Sequence, residues 1–152
     1  MRIREAIIED APALADIFIA ARALMPYLNH ALHTREETRA FVHDLVIDQE
    51  VLIAENGGIA GFAAIEPQQG EGWLHHLYIH PARQNAAVGA HLMAEVKKSM
   101  PEGFSLWVFQ ANLGARRFYR RHGFRLVRAT DGAENEEKLP DMLLRWPGHK
   151  KI

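Results

Sequence analysis

Three short stretches hold residues whose types and spacing could do chemistry. "RQNAAVGAHLM", Arg83 to Met93, passes from a basic and an amide side chain through small residues into helical spacing. The unbonded N–H groups and the dipole of a helix start attract anions. Ala86, Ala87, Gly89 and Ala90 are small enough to let a ligand approach the backbone there. "FQANLGARRFYRRHGF", Phe109 to Phe124, starts where an apolar strand ends and continues as a helix after Asn112. At about 100° per residue, Ala115, Phe118, Tyr119 and His122 share one helix face, and Arg116, Arg117, Arg120 and Arg121 share the opposite one. The arginines read as a solvated face. Tyr119 is the reactive group, because a phenol of pKa about 10 is protonated at neutral pH and can donate. In "WLHHLYIH", strand alternation sets Trp73, His75, Leu77 and Ile79 on one face and Leu74, His76 and Tyr78 on the other.

The elements that position these stretches follow from periodicity. "MRIREA" reads as a strand. Asp10, with Pro12 in the first turn, opens a helix whose apolar positions are Leu14, Ile17, Phe18, Ala21 and Leu24. "MPYLNHALH" breaks that pattern, and Thr34 with Glu37 forms a capping box for a second helix carrying Phe41, Leu45 and Val46. "VLIAE" and "IAGFAAIE" flank Asn56-Gly57-Gly58, a short-range hairpin signature. "WLHHLYI" is the next strand. A helix from Asn85 to Ser99 follows, with Val88, Leu92 and Val96 on one stripe and Pro101 beyond its end. "FSLWVF" is a strand, Leu113 to His122 a helix capped by Gly123, and "FRLVRA" and "DMLLRW" are two strands joined by a polar loop. The order β-α-α-β-β-β-α-β-α-β-β predicts a mixed α/β (α+β) fold. The expected sheet is central, mostly antiparallel and about seven-stranded, with helices on both faces.

Bulk properties exclude several classes. A chain of 152 residues reads as one domain, residues 1–152, able to bury roughly 70% of its unfolded surface. A formal charge of −1 supplies no field for nucleic acid or a membrane surface, so the arginines from Arg116 to Arg128 do not by themselves make a nucleic-acid site. Cysteine is absent, which removes disulfides and thiolate chemistry. The nine histidines raise a metal site, but His75, His76 and His80 cannot all point one way along a strand, and His30 and His33 fall where the helical pattern breaks. No metal is expected. No apolar run reaches the roughly 20 residues of a membrane span, "MRIREAIIED" lacks the apolar core of a signal peptide, and a cytoplasmic location is the expectation.

"LHHLYIHPARQNAAVGAHLM" resembles the acyl-CoA-binding motif of the GNAT N-acetyltransferase superfamily. There a strand and a turn lead into Gln/Arg-x-x-Gly-x-Gly/Ala opening a helix, represented here by Gln84, Asn85, Ala86, Ala87, Val88 and Gly89. "NLGARRFYRRHGF" resembles the same superfamily's second cofactor segment, Asn-x-x-Ala-x-x-Phe-Tyr-x-x-x-Gly-Phe, at every named position. The inferred element order agrees with the family throughout. There are two departures. The motif's first glycine is Ala87, and Asn85 stands where a glycine is common; asparagine tolerates positive φ, whereas Ala87 adds a methyl where the pyrophosphate would sit.

The resemblance implies transfer of the acetyl group of acetyl-CoA to a primary amine of a small molecule or peptide, by direct attack. It assigns the backbone of Leu77 and Ile79 to the pantetheine arm. The N–H groups from Gln84 through Asn85, Ala86, Ala87, Val88 and Gly89 to Ala90 would cradle the pyrophosphate, and Asn112 and Tyr119 would meet the cofactor. Tyr119 takes the general-acid position. An alkylamine is mostly protonated at pH 7, and supplying its neutral form costs roughly 4.6 kcal/mol, so a base is needed. His75 is the candidate, also because "WLHHLYIH" resembles the arylalkylamine N-acetyltransferase strand; Glu66 is a second. For the acceptor site the resemblance points to "MPYLNHALHT" and the acidic "DGAENEEKLPD", with Tyr27, Trp73 and Glu136 as candidate contacts. The alternative is a catalytically silent acyl-CoA-binding or protein-interaction module of the same fold. Assembly into a homodimer stays open.

Overall fold

A computed structural model describes residues 1–84 and 87–149. The elements run β1 (Arg2–Glu5), a short 3-10 turn (Ile8–Asp10), α1 (Ala11–Ala23), α2 (Arg35–Asp48), β2 (Glu50–Glu55), β3 (Ile59–Glu66) and β4 (Gly72–Ile79). A second 3-10 turn (Pro81–Arg83), α3 (Val88–Ser99), β5 (Phe104–Phe109), α4 (Leu113–Arg121), β6 (Arg125–Thr130) and β7 (Asp141–Trp146) complete the chain. The seven strands form one sheet in the order β1-β2-β3-β4-β5-β7-β6. The β1–β2, β2–β3, β5–β7 and β6–β7 pairs are antiparallel. β4 and β5 are parallel, with Gly72 opposite Phe104 and Trp73 opposite Ser105. The expected mixed α/β fold with a mostly antiparallel seven-stranded sheet is therefore what forms.

The chain divides into two compact units. The first comprises Met1–Glu66 and Leu74–Val96. Its core packs Leu14, Ala15 and Ile17 of α1 and Val42 and Leu45 of α2 onto Val51, Ile53, Phe62 and Ala64 of one sheet face. The alternate residues Leu52, Ala54, Ala63 and Ile65 are equally buried, so the sheet of this unit is covered on both faces, as helices on both sides require. The apolar stripe of α3, Val88, Leu92, Met93 and Val96, is fully buried. Thr34 caps α2 as its sequence predicts: its Oγ1 accepts from Glu37 N–H (3.1 Å) and Glu37 Oε1 accepts from Thr34 N–H (2.9 Å).

Asp10 differs from expectation. It stands at the N-cap of α1 without capping it. Its carboxylate instead accepts the Ile7 N–H at 2.8 Å and both terminal nitrogens of Arg4, at 2.8 and 2.9 Å. A bidentate, charge-assisted pair outcompetes a cap bond to a neutral N–H. Leu24 also departs, because α1 ends at Ala23 and leaves Leu24 exposed.

The second unit comprises Pro67–Trp73 and Lys97–Ile152. Phe104, Phe124 and Trp146 pack together with Tyr119 of α4. The C-terminus of α4 is closed by Gly123 N–H to Arg120 O and Phe124 N–H to Tyr119 O, a Schellman pattern that fixes the exit of the helix. Lys97 Nζ donates to His122 O at 2.6 Å and lies over the Trp146 ring, binding the end of α3 to the end of α4. β6 is an edge strand carrying a register shift between Leu126 and Arg128 and two exposed arginines, features that discourage pairing with another chain.

Candidate active site

The first unit holds the proposed phosphate loop and base. β4 ends at Ile79, and the 3-10 turn that follows is capped by His80, whose Nδ1 accepts the Ala82 N–H at 3.1 Å. Arg83 is drawn back to the β2–β3 hairpin, where its guanidinium bonds the Asn56 carbonyl. The expected helix from Asn85 starts later, at Val88; Asn85 and Ala86 lie outside the described residues. Ala87, immediately before it, adopts φ 59°. That left-handed conformation costs a non-glycine residue roughly 1–2 kcal/mol. It also explains the late start, since helical hydrogen bonding cannot run through a left-handed residue. The Ala87 carbonyl accepts His91 N–H at 3.1 Å as the first bond of α3. The N–H groups of Val88, Gly89 and Ala90 therefore have no carbonyl four residues back within the helix.

His75 and Glu66 come together: His75 Nε2 lies 3.7 Å from Glu66 Oε1. That is too long for a direct hydrogen bond, and both side chains are partly exposed, so water reaches the pair. The neighbouring histidine has another environment. His76 faces α1 and α2, with ring centroids 5.7 Å from Phe18, 5.6 Å from Phe41 and 6.0 Å from Tyr78. Burial holds its pKa down at about 4, with the charges of His75 and Arg22 adding to the effect. Arg22 donates to Tyr78 Oη at 3.0 Å and covers the Phe18 ring. The Tyr27 hydroxyl is raised above its ordinary pKa by burial and by the nearby Tyr78. Tyr27 thus belongs to the Tyr78 side of β4, whereas alternation turns His75 to the opposite face. Leu77 and Ile79 share the face of His75.

The second unit holds the proposed acid. Asn112 caps α4, its Oδ1 accepting the Ala115 N–H at 3.1 Å. Tyr119, two turns along, is 9% exposed, with its ring against Phe118 and Phe124 at centroid distances of 5.4 Å each. Arg117, Arg120 and Arg121 are solvated, as predicted, but Arg116 is not. Its guanidinium donates to Gln110 O at 2.9 Å, because a long side chain on the first turn of a helix reaches back to the strand end before it. Gln110 in turn donates from Nε2 to Thr130 O (3.0 Å) and Asp141 O (3.1 Å). Neither residue was marked by the sequence. These are side-chain bonds to backbone carbonyls, which leave no periodic trace; the one signal is a polar pair bracketing Asn112. Of the acceptor candidates in this unit, Trp73 is half-buried at the start of β4, and Glu136 is exposed on the β6–β7 loop.

Among the described residues no group of three or more His, Asp or Glu side chains could hold a metal ion. No helix among them is long and apolar enough to cross a membrane.

Residues 47–126 match the family described as the acetyltransferase (GNAT) domain, a span that includes the candidate loop, His75, Asn112 and Tyr119. No curated protein sequence matches the chain. Among solved structures, apo-form YjaB from Escherichia coli is similar with a TM-score of 0.78 at 22% identity, over 97% of this chain and 98% of that one. YncA from Salmonella typhimurium, solved with its cofactor acetyl-CoA, has a TM-score of 0.74 at 17% identity over 100% and 96%. The PaiA N-acetyltransferase from Thermoplasma acidophilum, in complex with coenzyme A, has a TM-score of 0.72 at 19% identity over 96% and 98%. At these identities the likeness is one of fold. The family match spans more than half of the chain, and the chain belongs to the GNAT acetyltransferase family.

Proposed function

We propose that this chain transfers the acetyl group of acetyl-CoA directly to a primary amine of a small molecule or peptide, and that its two compact units act as one acyltransferase domain. The observation that carries this reading is the backbone of Ala87, φ 59°. The family's motif has glycine at this position, and the chain keeps the conformation glycine would adopt although alanine makes it costly. Retained strain at a helix start is more economically explained by a ligand than by folding. The small residues after it, Gly89 and Ala90, leave the N–H groups accessible to a pyrophosphate. The acetyl-CoA and CoA bound to two proteins of this fold support the same ligand class here.

Acetyl-CoA supplies the activated acetyl group. Leu77 and Ile79 would pair through their backbone with its pantetheine arm, and the loop from Gln84 to Ala90 with its pyrophosphate. Asn112, already engaged at the start of α4, would meet it through its remaining polar groups. His75 would take the proton released as the amine nitrogen bonds to the acetyl carbon, directly or through water, with Glu66 beside it. Tyr119 would give its proton to the departing sulfur as the C–S bond breaks. A thiolate with a pKa of about 8.5 gains from such a donor at neutral pH.

Calorimetric titration of acetyl-CoA and CoA tests the first half of the reading. Release of free thiol in the presence of a panel of amines (spermidine, tryptamine and peptides with free N-termini) tests the second. Micromolar binding with amine-dependent thiol release is expected. Binding without release to any amine would favour a silent acyl-CoA-binding module, and no binding would remove both readings.

A further inference from the structure

We propose that Arg116 is a positioning residue: it fastens the first turn of α4 to the end of β5 and so sets where Tyr119 points. The proposal rests on the reading of Tyr119 as proton donor. Gln110, at the end of β5, is fixed on its far side by three bonds. Its N–H donates to Pro140 O at 2.9 Å, and its side-chain amide donates to Thr130 O and Asp141 O. Its carbonyl accepts Arg116 Nη1 at 2.9 Å. Between them, Asn112 caps the helix through Ala115 N–H and accepts Arg116 N–H at 3.0 Å through its own carbonyl.

A cap alone attaches a helix at one point and leaves it able to pivot there. The Arg116 guanidinium adds a second attachment one turn into the helix, made by a charged donor to a carbonyl that is itself held in place. Tyr119 lies three residues further on, so its ring stands almost directly above Arg116 on the helix surface. Any rotation that Arg116 prevents would carry the phenol oxygen sideways. The neighbouring Arg117, Arg120 and Arg121 are exposed, and only Arg116 of this run reaches back to the strand end.

The test uses the full chain and follows thiol release from acetyl-CoA into water, so that no acceptor need be known. Arg116→Met keeps the aliphatic stem without the donor. It should slow release about 10- to 100-fold, as expected for a reacting group displaced by about an ångström, with the Kd for CoA unchanged within about twofold. Arg116→Lys should recover part of the rate, and Arg117→Met should match the wild type. The double variant with Tyr119→Phe should be no slower than Tyr119→Phe alone. Wild-type release by Arg116→Met, or losses that multiply in the double variant, would overturn the proposal. If Tyr119→Phe alone keeps the wild-type rate, or if the wild type releases no thiol, the proton-donor reading fails separately. Amide exchange, read on the same proteins, then decides for Arg116. About tenfold faster exchange from Arg116 to His122 in Arg116→Met supports the second attachment; unchanged exchange rejects it.

Discussion

The backbone at Ala87 turns left-handed, φ 59°, where the family's motif has its first glycine. Replacing Ala87 by glycine removes roughly 1–2 kcal/mol of steric cost and restores roughly 0.5–1 kcal/mol of backbone entropy to the unfolded chain. Ala87→Gly should therefore raise the thermal midpoint by up to a few degrees, read by calorimetry. It should also tighten acetyl-CoA binding several-fold, because no methyl then stands at the loop. A lower midpoint together with weaker binding would show that the alanine is accommodated without strain. Much at this scale was legible in the sequence. Tyr119 and Asn112 stand out because a helix start and a helix face can both be counted from residue spacing. The methyl of Ala87 was legible, but that Ala87 itself bears the positive φ was not, since Asn85 is the residue type more at ease there. Arg116 was misread for a different reason. Periodicity sorts side chains by direction and says nothing of how far an arginine reaches back.

Elements were legible wherever an apolar stripe or a capping pair marks them, and the loop between β6 and β7 is where that failed. Its acidic composition suggested a solvated connection, yet its base is built of specific bonds. Thr130 Oγ1 donates to the buried Asp141 carboxylate and accepts Gly132 N–H at 3.1 Å. Asn135 Nδ2 donates to Leu139 O at 2.7 Å and to Asp141 Oδ2 at 3.1 Å. Bonds between side chains and a turning backbone have no period, so no pattern announces them. Gly132 is the point most sensitive to change. It adopts φ +81°, and a Cβ there would stand 2.1 Å from Leu139 O. Gly132→Ala should cost about 2–4 kcal/mol, strain plus a backbone shift, and lower the thermal midpoint by roughly 2–4 °C for each kcal/mol. Gly70 provides the control. Its φ is +74° but nothing lies within 4 Å, so Gly70→Ala should cost only the left-handed term. Equal losses in the two variants would show that the loop yields easily around Leu139.

For the molecule as a whole, the element order and sheet class could be read because helical and alternating patterns succeed one another cleanly. What covers each face could not be read in the same way, and stability against pH depends on that. Alternation puts His76 opposite His75, but only the structure sets it among Phe18, Phe41 and Tyr78. Burial lowers its pKa from 6.5 to about 4. Between those values the unfolded chain binds a proton that the folded chain refuses, so folding weakens as pH falls through the interval. The loss is complete at about pH 4. A shift of that size corresponds to about 3 kcal/mol. Asp10 acts lower on the scale. Arg4 holds its carboxylate below the ordinary value of 3.8, so its contribution is present above that value and is lost only in more acidic solution. The two effects are therefore separable. Thermal melts of the wild type from pH 7.5 to 4.5 should show a midpoint falling by several degrees. His76→Phe, which keeps an aromatic ring in place without a titrating nitrogen, should flatten most of that fall while leaving the steeper loss below pH 4 intact. Parallel curves for the two proteins would mean that His76 is solvated well enough to accept its proton in the folded state.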